Sequence, residues 1–416
     1  MSDNELIDSL GDPEKLEMLF RSNPQQFCAW LDEASSEYPE SETLRVWNAR
    51  VYFTTPLPES AANAKASLLF VIVLCLISGF LVKLPAFLPI TEDWYYPRFV
   101  PLIVVGALIV YFMRTVDSNK LRSVVLSGML LCAVVLLLLP YDTKADSIIM
   151  ALIHAPLVLN TFLAIAFMSE EWRKPDARLR YIRYVGEMAI YVVIILLGGI
   201  VLTLLTLGLF NLIDASIEEW YIEYIVVIGV VASPIVATYL YDSVLARESK
   251  LATVISNVFS PLFLITVIAY LIALIYQGKS PYTDRNFLIV FNGLLMIVLA
   301  ITVFSVSGMS RTKSSRKMDA INISLVSATL VINAIALSAI IFRLSEYGIS
   351  PNRLAVTGAN VLIFLHLILI LKEYIKQFRG MSSSDRINKV VANYLPAYSA
   401  WSAFVMVMLP LIFWFE

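Results

Sequence analysis

Beyond Lys65 the chain is a succession of apolar runs, most of them near twenty residues, broken only by short polar connections. About 20 apolar residues in a helix cross about 30 Å of hydrocarbon, so each run is read as a membrane span. The runs fall near 67–87, 99–113, 122–140, 147–168, 185–212, 222–241, 258–277, 286–307, 320–343, 353–375 and 398–415. The expected fold is therefore an all-α, polytopic integral membrane helix bundle of about eleven spans. The second run is the shortest, at 15 residues, and has room to be tilted or longer than drawn.

Composition points the same way. Of 416 residues, 59% are hydrophobic and 15% charged, with a mean hydropathy of +0.76, where a soluble domain carries about 25% charged residues. The opening "MSDNELIDSL" has no basic stretch leading into an apolar one, so no cleavable signal peptide is expected. Cys28, Cys75 and Cys132 offer neither a disulfide framework nor a C-x-x-C site, and His154 and His366 are the only histidines. No metal centre and no cofactor are expected from such a set.

Lysine and arginine set the expected orientation. With the N-terminus inside, the inner segments hold 24 of these residues and the outer segments seven. The N-terminus is then cytoplasmic and Glu416 external. Aromatic groups such as Trp94-Tyr95-Tyr96 and Trp220-Tyr221 stand where interfacial belts belong.

Residues 1–65 are different in kind, with twelve acidic against five basic side chains. Asp12-Pro13 and Asn23-Pro24 each put a capping side chain before a proline at the first helical position. Leu16, Leu19 and Phe20, then Phe27, Trp30 and Leu31, then Leu44, Trp47 and Val51 recur at helical spacing. Three or four short amphipathic helices are expected, forming a small acidic cytoplasmic domain. Membrane lipids are expected partners of the spans, and a protein partner is a candidate for residues 1–65.

One connection between spans is unusually well furnished: "IFRLSEYGISPNRLAV", residues 341–356. Gly348 suits a helix end, and Ser350-Pro351 suits the start of the next helix. Arg343, Glu346 and Tyr347 share a helical face through their i, i+3, i+4 spacing. Arg353 falls in a first helical turn, where the helix dipole disfavours a cation. Two readings stay open: a structural clamp in which Glu346 bridges to Arg353, and a site where two guanidinium forks hold an anionic group. The hairpin "YQGKSPYTDR", 276–285, repeats the Gly and Ser-Pro punctuation and adds Lys279 and Arg285. Its "GKSP" echoes "GISP" at 348–351, through shared turn chemistry or a duplicated two-helix hairpin. Were the two hairpins neighbours, they would form a positive patch on the outer face.

Inside the spans, His366 lies near mid-span, His154 nearer the outer side and Glu187 near the inner end. Ionisable groups in the membrane are functional candidates, although a neutral histidine bonded between helices is the commoner role. Glu187 lies four residues after Arg183 and can pair with it. Asn160, Asn292, Asn333 and Asn360 read as links between helices. "WRKPDARLRYIRY", 172–184, reads as a topology determinant with an interfacial helix, or as a recruiter of anionic lipid. Nucleic acid is not an expected partner of so short a loop pressed against the bilayer. "NLIDASIEEWYIEY", 211–224, reads as an acidic amphipathic stretch. No G-x-S-x-G, H-E-x-x-H or phosphate-cradling glycine loop occurs, so no catalytic residue is assigned.

"FRLSEYGISPNRLAV" resembles the R-(I/L)-x-x-Y-G-(I/L)-(S/T)-x-x-R stretch of a bacterial polytopic membrane family catalogued as domain of unknown function 4153. "SPLFLITVIAYLIALIYQGKSP", 260–281, and "VWNARVYF", 46–53, look like that family's span before an outer loop and its W-x-x-R stretch. Arg343, Tyr347, Gly348, Ser350 and Arg353 match residue by residue, and the likeness runs from about residue 15 to 376. The resemblance implies a bacterial inner membrane and a permease-like character, without a substrate. The leading functional expectation is a transporter of an anionic small molecule or lipid engaged at the outer face. The alternative is a non-transporting sensor or interaction protein that works through residues 1–65.

Overall fold

The computed structural model describes residues 5–52, 60–142, 144–211, 216–244, 251–277, 285–307 and 316–416. It divides into two compact units, Met1–Leu68 and Leu69–Glu416. All regular structure among the described residues is helical.

In the first unit, α1 (Pro13–Ser22), α2 (Pro24–Glu37) and α3 (Glu42–Tyr52) pack on one another. Their starts are capped as the sequence signals: Asp12 accepts from the amides of Glu14 and Lys15, and Asn23 from that of Gln26. Leu16, Phe27, Leu31, Leu44 and Trp47 form the buried core. Glu17 joins two helices by pairing with Arg21 at 2.8 Å and Arg50 at 2.7 Å. Arg50 also lies 4.7 Å over the Trp47 ring, so the W-x-x-R pair is one turn of helix stacked on itself.

In the second unit, from Leu69 on, the helices are the rest of α4 (Ser60–Val82), α5 (Glu92–Met113), α6 (Asn119–Leu138), α7 (Asp146–Met168), α8 (Pro175–Asn211) and α9 (Glu218–Val244). They continue as α10 (Leu251–Gln277), α11 (Arg285–Ser307), α12 (Arg316–Tyr347), α13 (Pro351–Phe378) and α14 (Ser384–Ile412). Eight of these, α5 to α9 and α12 to α14, are long and apolar enough to cross a membrane. Shorter apolar helical stretches lie at Leu68–Val82, Val258–Ala269 and Phe291–Val306. The chain is thus a helical protein with membrane-length apolar helices. The run drawn at 99–113 proves to be the core of a 22-residue helix, because Trp94, Tyr95 and Tyr96 and the internal Pro97 are accommodated in its first turns.

Close helix contact rests on small residues, as expected where lipid is as apolar as leucine. A Cβ at Gly128 would run into the Phe162 ring, and one at Gly358 into the Trp401 indole. Helix α14 holds a π-helical turn, Phe404–Met408, immediately before Leu409-Pro410. Pro410 lacks an N–H and its ring crowds the carbonyl of Met406, which accounts for a wider turn there. Helices α10 to α13 pack against one another, and α14 packs on α7, α8, α11 and α13.

Candidate functional site

The turn between α12 and α13 is built as its sequence signals. Gly348 takes φ +74°, and Ser350 caps α13 by accepting from the Arg353 amide at 3.4 Å, with Pro351 at the first position. The placement of Arg353 now has a cause. Its Nη1 donates to the carbonyls of Tyr347, at 2.9 Å, and Gly348, at 2.7 Å. The guanidinium therefore sits at the carbonyl end of α12, where the dipole favours a cation, while its own backbone lies at the start of α13. The Tyr347 ring lies beside it, 5.6 Å from the centroid. The Glu346–Arg353 bridge, one of the two readings left open, does not form, since the guanidinium is turned to these carbonyls. Glu346 and Tyr347 are exposed.

Arg343 and Arg353 come together on a cavity of about 280 Å³, lined also by Asp146, Asn292, Ser350 and Asn352. Ile289 and Asn292 of α11 complete one wall, one and two turns beyond Arg285. The side chain of Arg285 and the whole of Lys279 lie outside the described residues. Two guanidinium groups with one carboxylate suit a group carrying net negative charge and hydrogen-bond acceptors. Asp146, at the start of α7, is a member that sequence reasoning missed, because nothing in the chain links it to residues two hundred positions away.

A second cavity, of about 380 Å³, is lined by both histidines of the chain, with Tyr398 and Trp401 of α14. Positions 289, 292, 296, 299 and 303 of α11 and 353, 356, 363 and 366 of α13 recur at helical spacing, and they line one cavity or the other. The two cavities thus succeed each other along the same faces of α11 and α13. An asparagine bridge lies at the junction: Asn360 Nδ2 donates to Asn292 Oδ1 at 3.0 Å, and Asn333 donates to the Asn360 carbonyl at 3.4 Å. These asparagines link helices, as expected.

His154 Nδ1 meets the Met150 carbonyl at 2.8 Å, and His366 Nδ1 meets the Tyr398 hydroxyl at 3.0 Å. The His366 ring stacks on Tyr394 with centroids 4.3 Å apart and planes 9° from parallel. Glu187 is buried and engaged; it lines neither cavity.

The basic stretch at 172–184 is the start of the 37-residue helix α8 together with the turn before it. Tyr181 and Tyr184 are buried in an aromatic cluster with Phe112 and Phe167. Arg178 donates to the carbonyls of Trp172 and Ala392, and Arg180 pairs with Glu171. Of the acidic stretch, 212–215 lie outside the described residues; Glu223 pairs with Lys83 at 2.9 Å. Arg98 is buried and donates to the carbonyls of Trp94, Leu139 and Pro140, so it too closes a helix end.

No protein-family model, curated protein or solved structure matches the chain.

Proposed function

We propose that the protein is a permease-like transporter of an anionic small molecule or lipid, which it engages through the cavity lined by Arg343 and Arg353. The observation that carries this reading is the pairing of those two guanidinium groups on one cavity, with a second cavity continuing along the same helix faces. Charge bias in the connections supports placing this cavity on the outer face and the N-terminal unit in the cytoplasm. The motif resemblance supports a bacterial inner membrane and membership of the family named above.

Arg353 closes the turn as well as lining the cavity, so the test substitutes Arg343, and an unchanged thermal midpoint shows that the variant keeps its fold. The test compares full-length wild type and Arg343→Gln in the same detergent by mass spectrometry of co-purifying anions. Wild type should retain an anionic compound that Arg343→Gln loses. The compound so identified should then cross proteoliposomes that contain wild type, and not those that contain the variant. Binding without flux would sink transport in favour of the sensor reading, in which removal of residues 1–60 abolishes output.

A further inference from the structure

The cavity between α7, α11, α13 and α14 carries two buried hydrogen-bonding atoms that the protein leaves without partners, His366 Nε2 and Trp401 Nε1. Buried polar atoms are otherwise nearly always paired. Trp401 Nε1–H can only donate. The Tyr398 hydroxyl and His366 Nδ1 share a hydrogen bond of 3.0 Å; assigning the hydroxyl as its donor puts the imidazole proton on Nε2 and makes this atom a donor too. His366 is 1% exposed, so its orphaned donor is not open to bulk solvent.

Most of the remaining lining is apolar, including Leu299 and Ile363, with Asn160, Thr161, Ser399 and Ser402 as polar members. Two lining residues, Leu157 and Met296, are 47% and 61% exposed, so the cavity opens where the membrane-length helix α7 and the shorter apolar stretch of α11 present apolar side chains. A ligand that enters there comes from the hydrocarbon. At about 380 Å³ the cavity lies in the range of small-molecule sites. The Trp401 indole lies directly against Gly358, where any Cβ would collide with it. Packing thereby holds the indole in place.

We propose that this cavity is a binding site for a membrane-dissolved amphiphile with an apolar body and a carbonyl or carboxyl oxygen, which accepts from Trp401 Nε1–H and His366 Nε2–H. The site stands whether or not the protein transports anything.

The experiment uses the full chain in nanodiscs and a dodecanoic acid bearing a chain diazirine, with cross-links mapped by peptide mass spectrometry. Labelling should concentrate in 154–161, 296–303 and 391–402. Dodecanoic acid and its methyl ester should both compete, and dodecane should not. Trp401→Phe should weaken competition about fivefold, the worth of one neutral hydrogen bond. Ala300→Phe, which fills the lining, should abolish labelling. Even labelling of all lipid-facing helices, or competition by dodecane equal to that of the acid, overturns the proposal. The dodecane arm needs only wild type, so the proposal stays refutable even where a variant misfolds.

Discussion

Replacing Arg353 by alanine should loosen the last turn of α12, although the residue belongs to α13. The guanidinium makes two bonds to carbonyls, 2.9 Å to Tyr347 and 2.7 Å to Gly348. A hydrogen bond to a charged group is worth about 1.5–3 kcal/mol when buried; these two are exposed, so about 1 kcal/mol for the pair is the appropriate scale. The C-terminal dipole adds about 0.3–1 kcal/mol, and the exposed Tyr347 ring about 0.5 kcal/mol. The total is about 2 kcal/mol, or about thirtyfold in the local opening constant. Amide hydrogen exchange of the full chain reads this directly, because the amides of Ser345, Glu346 and Tyr347 exchange when that turn unwinds. Arg353→Lys keeps the charge but loses the fork, and should recover only part of the protection. Exchange within twofold of wild type in Arg353→Ala would refute the clamp.

Glycine at the turn and glycine in the packed helices should fail differently. Gly348→Ala forces an L side chain to φ +74° in open space, and should cost about 1 kcal/mol, seen as faster exchange in the turn alone. Gly358→Ala drives a methyl group into the Trp401 indole, so it should displace α14 from α13 and lower the thermal midpoint of the detergent-solubilised protein. In the N-terminal unit, hydrogen bonds from Arg21 and then Arg50 hold the Glu17 carboxyl below its ordinary value. A depressed carboxylate contributes stability above its unfolded pKa of about 4.3 and loses it as pH falls through the folded one. Glu17→Gln should therefore flatten the acid limb of Trp47 fluorescence, measured with every other tryptophan, Trp30 included, replaced by phenylalanine. Lys83→Met leaves Glu223 without its partner and should speed the exchange of the amides beside residue 83.

Local rules made the helix ends legible in advance. Asp12, Asn23, Gly348 and Ser350 act within a few residues of themselves, and each does what its spacing signals. Core residues of the N-terminal unit were legible for the same reason, since a 3.6-residue period marks a face before its partner is known. The cavities were not. His154 and His366 lie on α7 and α13, and only the packing of those helices around α14 brings them to one space. The orphaned indole of Trp401 depends on how its ring seats on Gly358, and a single apolar aromatic in a span gives no hint of that. Arg353 was conspicuous in the sequence for the wrong dipole, because the chain reverses and the side chain reaches back to the preceding helix.

The same device recurs at the start of α5. Arg98 sits among acidic and aromatic neighbours near a span end, and it too spends its guanidinium on the carbonyls that close α6, at Leu139 and Pro140. A guanidinium bound to carbonyls keeps its charge but has fewer donors left for a ligand, since five N–H groups in a fixed fork cannot all face one way. A tally of basic residues at one end of the bundle therefore overstates the donors available to an anion. Both arginines line the candidate cavity with Asp146, Asn292 and Asn352, and Arg353 has its Nη1 committed to the turn. Asp146→Asn is the discriminating change. Among the described residues it removes the only acidic side chain of that lining, so it should tighten retention of a simple anion and weaken that of a zwitterion, whose cationic group would lose its carboxylate. Equal retention of both would mean that Asp146 faces away from the bound group, and that the arginines alone set its charge.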